Sequence, residues 1–156
     1  MTSVFDPAAF EQSATSSDAN STSITPVPEG PRNAVIEDYK FRSIESEKRP
    51  GESFIMCDVQ FAIIDDTGEL EAAIGRPPKV TQGYFVDTDK NGAMDMSKGK
   101  NVWLGKLREA INQNTPGVPW SIAMIKGQPC QIVVTQEPSK KDDAIYNRVK
   151  TVGRIA

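Results

Sequence analysis

The order of patterned segments constrains this chain more than any single residue does. Three strand-like runs, near residues 33–44, 53–64 and 69–86 (the last interrupted), precede one helix-like stretch at 101–112. Two further strand-like runs follow, near 128–136 and 144–152. Five strands with a helix between the third and fourth is the chain order of an OB-fold, a small barrel that often binds oligonucleotides. The expected class is therefore mostly β: a five-stranded OB-fold barrel with one helix between strands 3 and 4, preceded by a disordered tail.

The clearest alternation lies in the second run, where Ile55, Cys57, Val59, Phe61 and Ile63 share one face and Met56, Asp58 and Gln60 the other. That period of two is the mark of a half-buried strand. The first run is less regular, and Glu37-Asp38 predicts a bulge or a wet edge. Arg76-Pro77-Pro78 must interrupt the third run, because proline has no amide to give a ladder. In the helical stretch Val102, Trp103, Leu107, Ala110 and Ile111 approximate one apolar stripe. Asn101 is placed to cap its start and Asn114-Thr115-Pro116-Gly117 to stop it, and residues 119–125 suggest a second short helix opening on proline. The last run should turn Ile145 and Val149 inward and Tyr146, Arg148 and Lys150 outward.

Residues 1–31 are rich in Ser, Thr, Ala, Asn and Pro and nearly devoid of branched apolar side chains. Such a segment cannot bury enough surface to offset its ordering entropy, so a flexible acidic tail is expected there, with the folded domain at 32–156. Within the tail, Asp6 followed by Pro7 predicts a short helical turn bearing Phe5 and Phe10. No apolar run approaches the roughly 20 residues of a membrane span, and the N-terminus lacks a basic-then-apolar leader, so a cytoplasmic protein is expected. Cys57 and Cys130 lack metal-ligand spacing and read as small buried apolar residues.

The formal net charge of −3 hides an asymmetry. Residues 1–31 hold four acidic side chains and no basic ones; residues 32–97 hold 8 basic and 13 acidic; residues 98–156 hold 10 basic and 4 acidic. A basic second half can present a positive groove on an acidic chain, although the same charges would also serve a merely solvated surface.

In an OB barrel the ligand groove lies between the loop joining strands 1 and 2 and the loop joining strands 4 and 5. Both loops carry paired cations here: Lys48-Arg49 in the first and Lys140-Lys141 in the second. Cations for phosphates and aromatic faces for bases are the two requirements for holding a single strand. The aromatic candidates are Tyr146, beside Arg148 and Lys150 on the last strand, Phe54 on the polar face of strand 2, and Tyr84 from the Tyr84-Phe85 pair, of which alternation lets only one point outward. Trp103 and Trp120 fit better as core under the helix.

Asp87–Asp95 reproduces the first half of a calcium loop, but the twelfth position is Lys98 and a strand-like segment precedes it, so a polar loop tip is the better account. The chain has no histidine, no G-x-S-x-G and no carboxylate cluster suited to catalysis. No enzyme activity, metal or cofactor is expected.

Several phrases resemble the small single-stranded-DNA-binding proteins of bacteriophages: Phe5-Asp6-Pro7 with Phe10, Pro26-Val27-Pro28-Glu29-Gly30, Gly99 through Ala110 around Val102-Trp103-Leu104, and Tyr146-Asn147-Arg148-Val149-Lys150. The resemblance implies an OB-fold protein that coats and protects single-stranded DNA in the host cytoplasm, without sequence preference, during phage DNA replication or recombination. It also implies replication or recombination proteins as partners and allows a homo-oligomer. Many such proteins end in an acidic recruiting tail; here the acidic segment is N-terminal. The competing reading is a structural or interaction protein, a virion component or host-factor inhibitor, that uses the barrel as a scaffold.

Overall fold

The structure is a computed structural model and describes residues 5–14, 24–48, 50–51, 53–142 and 144–155. One antiparallel sheet contains β1 (Gly30–Glu45), β2 (Ser53–Ile63), β3 (Lys79–Val86), β4 (Pro129–Pro138) and β5 (Ile145–Gly153), in the order β3-β2-β1-β4-β5. Three α-helices accompany it: α1 (Pro7–Gln12), α2 (Glu69–Ile74) and α3 (Val102–Ala110), with a 3-10 turn at Ile122–Ile125.

The long strand β1 organises the sheet. Its start pairs with β4, from Gly30↔Val134 to Val35↔Pro129, and its remainder pairs with β2, from Ala34↔Ile63 to Glu45↔Ser53. The register shifts between Ile36 and Asp38, at the anticipated Glu37-Asp38 irregularity, and such a bulge bends a strand and sharpens its twist. Ala34, Ile36, Cys57, Val59, Phe61, Val80, Ile132 and Val134 bury one face, closed over by Leu107 and Ala110 of α3. Complete burial of a side chain such as Phe61 stabilises the fold by about 1.5–3 kcal/mol. Both cysteines are free thiols in this core.

Local chemistry decides several departures from expectation. Residues 69–74 form α2 and not the start of a strand. The Asp65 carboxylate accepts the amides of Leu70 (3.3 Å) and Glu71 (2.9 Å), Gly75 closes the turn at φ +79°, and Glu, Leu and Ala favour a helix. β3 begins only after Arg76-Pro77-Pro78, as anticipated. α3 stops earlier than expected, where Asn112 adopts φ +59° and the Gln113 amide reaches back to the Arg108 carbonyl at 2.7 Å. The second helix shrinks to the 3-10 turn. Ile145, expected inward, is exposed at the end of β5.

The body also begins before the expected boundary at residue 32. Val27 is fully buried, its amide donating to Asn147 Oδ1 at 2.8 Å, and Arg76 donates to the Thr25 carbonyl at 2.6 Å. Earlier in the chain, Asp6 caps α1 through the amides of Ala8 and Ala9, with Pro7 at the first helical position, as anticipated. Residues 1–4 and 15–23 of the expected flexible tail lie outside the described residues. No helix among the described residues is long and apolar enough to cross a membrane.

β3 and β5 end the sheet, and no backbone ladder joins them. They meet through the Gln82 side chain, whose Oε1 accepts the Val149 amide at 2.9 Å. Its Nε2 donates to the neighbouring Gly83 carbonyl at 3.1 Å, and from α3 the indole N–H of Trp103 donates to the Phe85 carbonyl of β3 at 2.8 Å. A buried glutamine is affordable here because both ends of its amide are satisfied.

Candidate nucleic-acid interface

Directly opposed residues of an antiparallel pair share a face, so the ladders sort the side chains. Cys57, Val59 and Phe61 point into the core together with their β3 partners Tyr84, Gln82 and Val80. Met56, Asp58 and Gln60 point outward with Phe85, Gly83 and Thr81. Tyr84 is thus an inward residue, a correction to its expected role on the surface. It stacks on Trp103 with ring centroids 4.6 Å apart and planes 8° from parallel, and burial pushes its phenol pKa up. The outward aromatic is Phe85, 64% exposed, which meets Phe54, 44% exposed, edge to face at 6.1 Å. The signal was present in the sequence: Val80, Gln82, Tyr84 and Val86 share parity, but a glutamine inside that frame masked it.

Beside the phenylalanine pair, Arg42 Nε contacts Asp58 at 2.6 Å, and this ion pair lies over Gly83. A Cβ on Gly83 would come within 2.8 Å of the Met56 terminal methyl and 2.9 Å of the Asp58 carboxylate, so a side chain there would displace the ends of both. Met56, anticipated on the polar face, lies on it but is covered there.

On β5 the expected outward set is exposed: Tyr146, Arg148 and Lys150, with Val149 buried between the latter two. Arg148 pairs with Glu137 at 3.0 Å, and the Tyr146 hydroxyl hydrogen-bonds the Asp142 carboxylate at 3.2 Å. Lys150 makes no ion pair with a described residue. The Gln82–Val149 contact brings the outward faces of β3 and β5 side by side.

Lys48 is exposed in the turn beyond the Glu45↔Ser53 end of the β1–β2 ladder, while its neighbour Arg49 lies outside the described residues. Lys140 and Lys141 are exposed in the turn that the Ser139 amide closes onto the Ala144 carbonyl at 2.9 Å, beyond Pro138↔Ile145. Because β4 runs antiparallel to β1 and passes Gly30, the two cationic turns sit off opposite ends of β1. Between them, in order across β2, β3 and β5, come Phe54, Phe85, Lys150, Arg148 and Tyr146. A ligand touching both turns must cross the strands.

The loop from Asp87 to Lys100 is organised by hydrogen bonds to Asn101. Asn101 stands at the N-cap position of α3, as expected, with φ +48° and buried, but its side chain makes no capping hydrogen bond. Its amide group accepts from the Asp87 amide at 2.8 Å and donates to the carbonyls of Asp87 and Asp95, each at 2.8 Å, while its own backbone N–H donates to Asp87 Oδ2 at 2.9 Å. Asp89 Oδ1 accepts from the amides of Asn91 and Ala93. The calcium-like spacing is therefore occupied by turn hydrogen bonds, and no group of three potential metal ligands occurs among the described residues.

A cavity of about 550 Å³ opens where α3 approaches the β3–β5 seam, lined by Tyr84, Trp103, Lys106, Val149 and Lys150 among others. Trp103 and Trp120, expected as core under the helix, are only half-buried and pack against the core from its edge; Arg108 lies 4.4 Å over the Trp120 ring. Sequence reasoning missed Lys106, whose place at the cavity follows from the packing of α3 against β5. No protein-family model matches this chain, and no curated protein matches it closely enough to count as a relative, so what this surface recognises is argued from its own geometry.

Proposed function

We propose that this protein binds and protects single-stranded DNA without sequence preference, in phage DNA replication or recombination, and that its sheet is an OB-type barrel. Support for the barrel comes from the register. Gly30 leads through Val134 and Val149 to Gln82, and from there through Val59 back to β1 at Tyr39, nine residues further along the same strand. Strand stagger of this kind is what closing a small sheet on itself requires. The Gln82–Val149 contact lies where the last neighbours of such a barrel meet.

One observation carries the binding reading: the exposed track Phe54, Phe85, Lys150, Arg148 and Tyr146 running between the cationic turns at Lys48 and Lys140-Lys141. Aromatic faces accept any base, and cations track the backbone whatever its sequence, so the expected ligand is single-stranded and the selectivity low. The experiment is anisotropy titration of a labelled oligothymidylate across a salt series. Affinity should fall steeply with salt, by roughly 0.7 in the log–log slope per neutralised phosphate. Replacing Lys48, Arg49, Lys140 and Lys141 together by alanine should flatten that slope. Loss of both Phe54 and Phe85 should weaken binding by about 1–3 kcal/mol per unstacked base. Absence of binding at low salt would leave the scaffold reading ahead.

A further inference from the structure

We propose that the cavity at the β3–β5 seam receives one nucleobase of the bound strand against Trp103, with the flanking phosphates on Lys106 and Lys150. The inference rests on the nucleic-acid reading above and adds a subsite away from the Phe54–Phe85 face.

The cavity, at about 550 Å³, falls within the range of small-ligand sites, and its lining combines apolar walls with a few polar groups. Its aromatic wall is held in place before any ligand arrives. The indole N–H of Trp103 is tied to the Phe85 carbonyl at 2.8 Å, and Tyr84 backs the ring with a parallel stack at 4.6 Å. A ring already locked by its neighbours loses little freedom when a flat ligand lies on it.

The charge at the mouth selects the kind of ligand. Lys106 stands three residues after Trp103 on α3, hence on the same side of the helix, and Lys150 faces it from β5, beside the register shift between Val133 and Val134. Neither lysine makes an ion pair with a described residue. An aromatic slot with two uncompensated cations at its rim matches a planar group attached to anions, which is the chemistry of a nucleotide.

Continuity supplies the path. Lys150 also borders the outer surface of β5 beside Arg148, so one side chain joins the track to the cavity. On its far side the cavity shares Val102, Lys106 and Val152 with a second hollow of about 550 Å³ along α3, whose rim adds Lys100 and Arg154. Arg154 stands 3.6 Å from Glu109 there, and Lys100 is without an ion pair among the described residues. A strand leaving the slot thus meets further cations along the helix.

Trp103 itself reports on the proposal, since the chain has only two tryptophans. In a Trp120→Phe background, an oligothymidylate of roughly 8 nucleotides is titrated while Trp103 emission and the anisotropy of a labelled copy are both followed. Saturation should quench Trp103 by at least half. Lys106→Glu with Lys150→Glu should abolish the quenching and weaken binding at least tenfold. In the unsubstituted chain, an iodouracil-bearing oligonucleotide should cross-link to Trp103 on irradiation. Binding by anisotropy with Trp103 emission unchanged and no cross-link there would overturn the subsite and leave the nucleic-acid reading standing. No binding in either channel would overturn both. Quenching by an acidic peptide but not by the oligonucleotide would assign the cavity to a different occupant and overturn the proposal.

Discussion

β1 is joined to β2 and β4 by backbone ladders, whereas β3 and β5 face one another across a seam that Gln82 spans, with Trp103 of α3 tied to the β3 side. The two kinds of junction differ in what they demand. Every residue but proline brings an amide and a carbonyl to a ladder, so the flanks of β1 tolerate many sequences that keep the alternation. The contact across the seam rests on one carboxamide oxygen, that of Gln82. A cavity opens beside the seam, where α3 approaches it. The junctions held by ladders and the junction held by a side chain are therefore different parts of one sheet.

The largest expected effect lies on the ladder side. Phe61→Ala removes a fully buried ring beneath both β1 and β3 and should cost about 3–5 kcal/mol in urea unfolding. Gln82→Met should cost less, about 1–3 kcal/mol, by stranding the buried Val149 amide. Hydrogen exchange sharpens the contrast: Val149 should exchange faster in that variant while Val59, within a ladder, does not. Equal acceleration at both sites would show that the junctions unfold as one and erase the distinction. Trp103→Phe keeps an aromatic face but deletes the donor to Phe85, for a loss of about 0.5–1.5 kcal/mol.

Smallest at neutral pH is the titration of the two core thiols, Cys57 on β2 and Cys130 on β4. Burial raises the Cys57 pKa to about 11, with the Asp58 carboxylate adding to it, and burial raises Cys130 to about 12, both from 9.0. A raised thiol pKa means the folded state holds its proton more tightly than the unfolded chain does. The contribution to stability is complete below the unfolded value and is lost as pH rises toward the folded values. The urea midpoint should therefore show no thiol-dependent change up to pH ~8 and decline from pH ~9 upward, and Cys57→Ala should blunt the decline. A midpoint indifferent to alkali, or rapid modification of either thiol in the native protein at pH ~8, would contradict this.

Much of the sheet was legible in the residues because alternation, prolines and turn chemistry act locally. The Ile55–Ile63 face, the break at Pro77-Pro78, the Glu37-Asp38 bulge and the Asp6 cap of α1 all follow from neighbours within a few positions. Residues 69–74 misled because the deciding group, Asp65, caps from outside the segment. Asn101 misled for a related reason. Its position suits a cap, but Asp87, fourteen positions away, claims the side chain. At the candidate interface, the cationic turns and the β5 set could be named in advance, while the choice between Tyr84 and Phe85 was masked by the inward Gln82 of the same parity.

The sequence by itself determined the order of the strands, the place of α3 between the third and fourth, and the two faces of each strand. It did so because backbone geometry has a fixed period and turns use few residue types. Only the tertiary structure decided which face is inside, since that depends on partners remote along the chain, as Val27 and Asn147 are at 120 positions apart. It also decided that a glutamine spans the seam and that Trp103 of α3 is tied to β3 beside it. Both are side-chain contacts that no local pattern encodes.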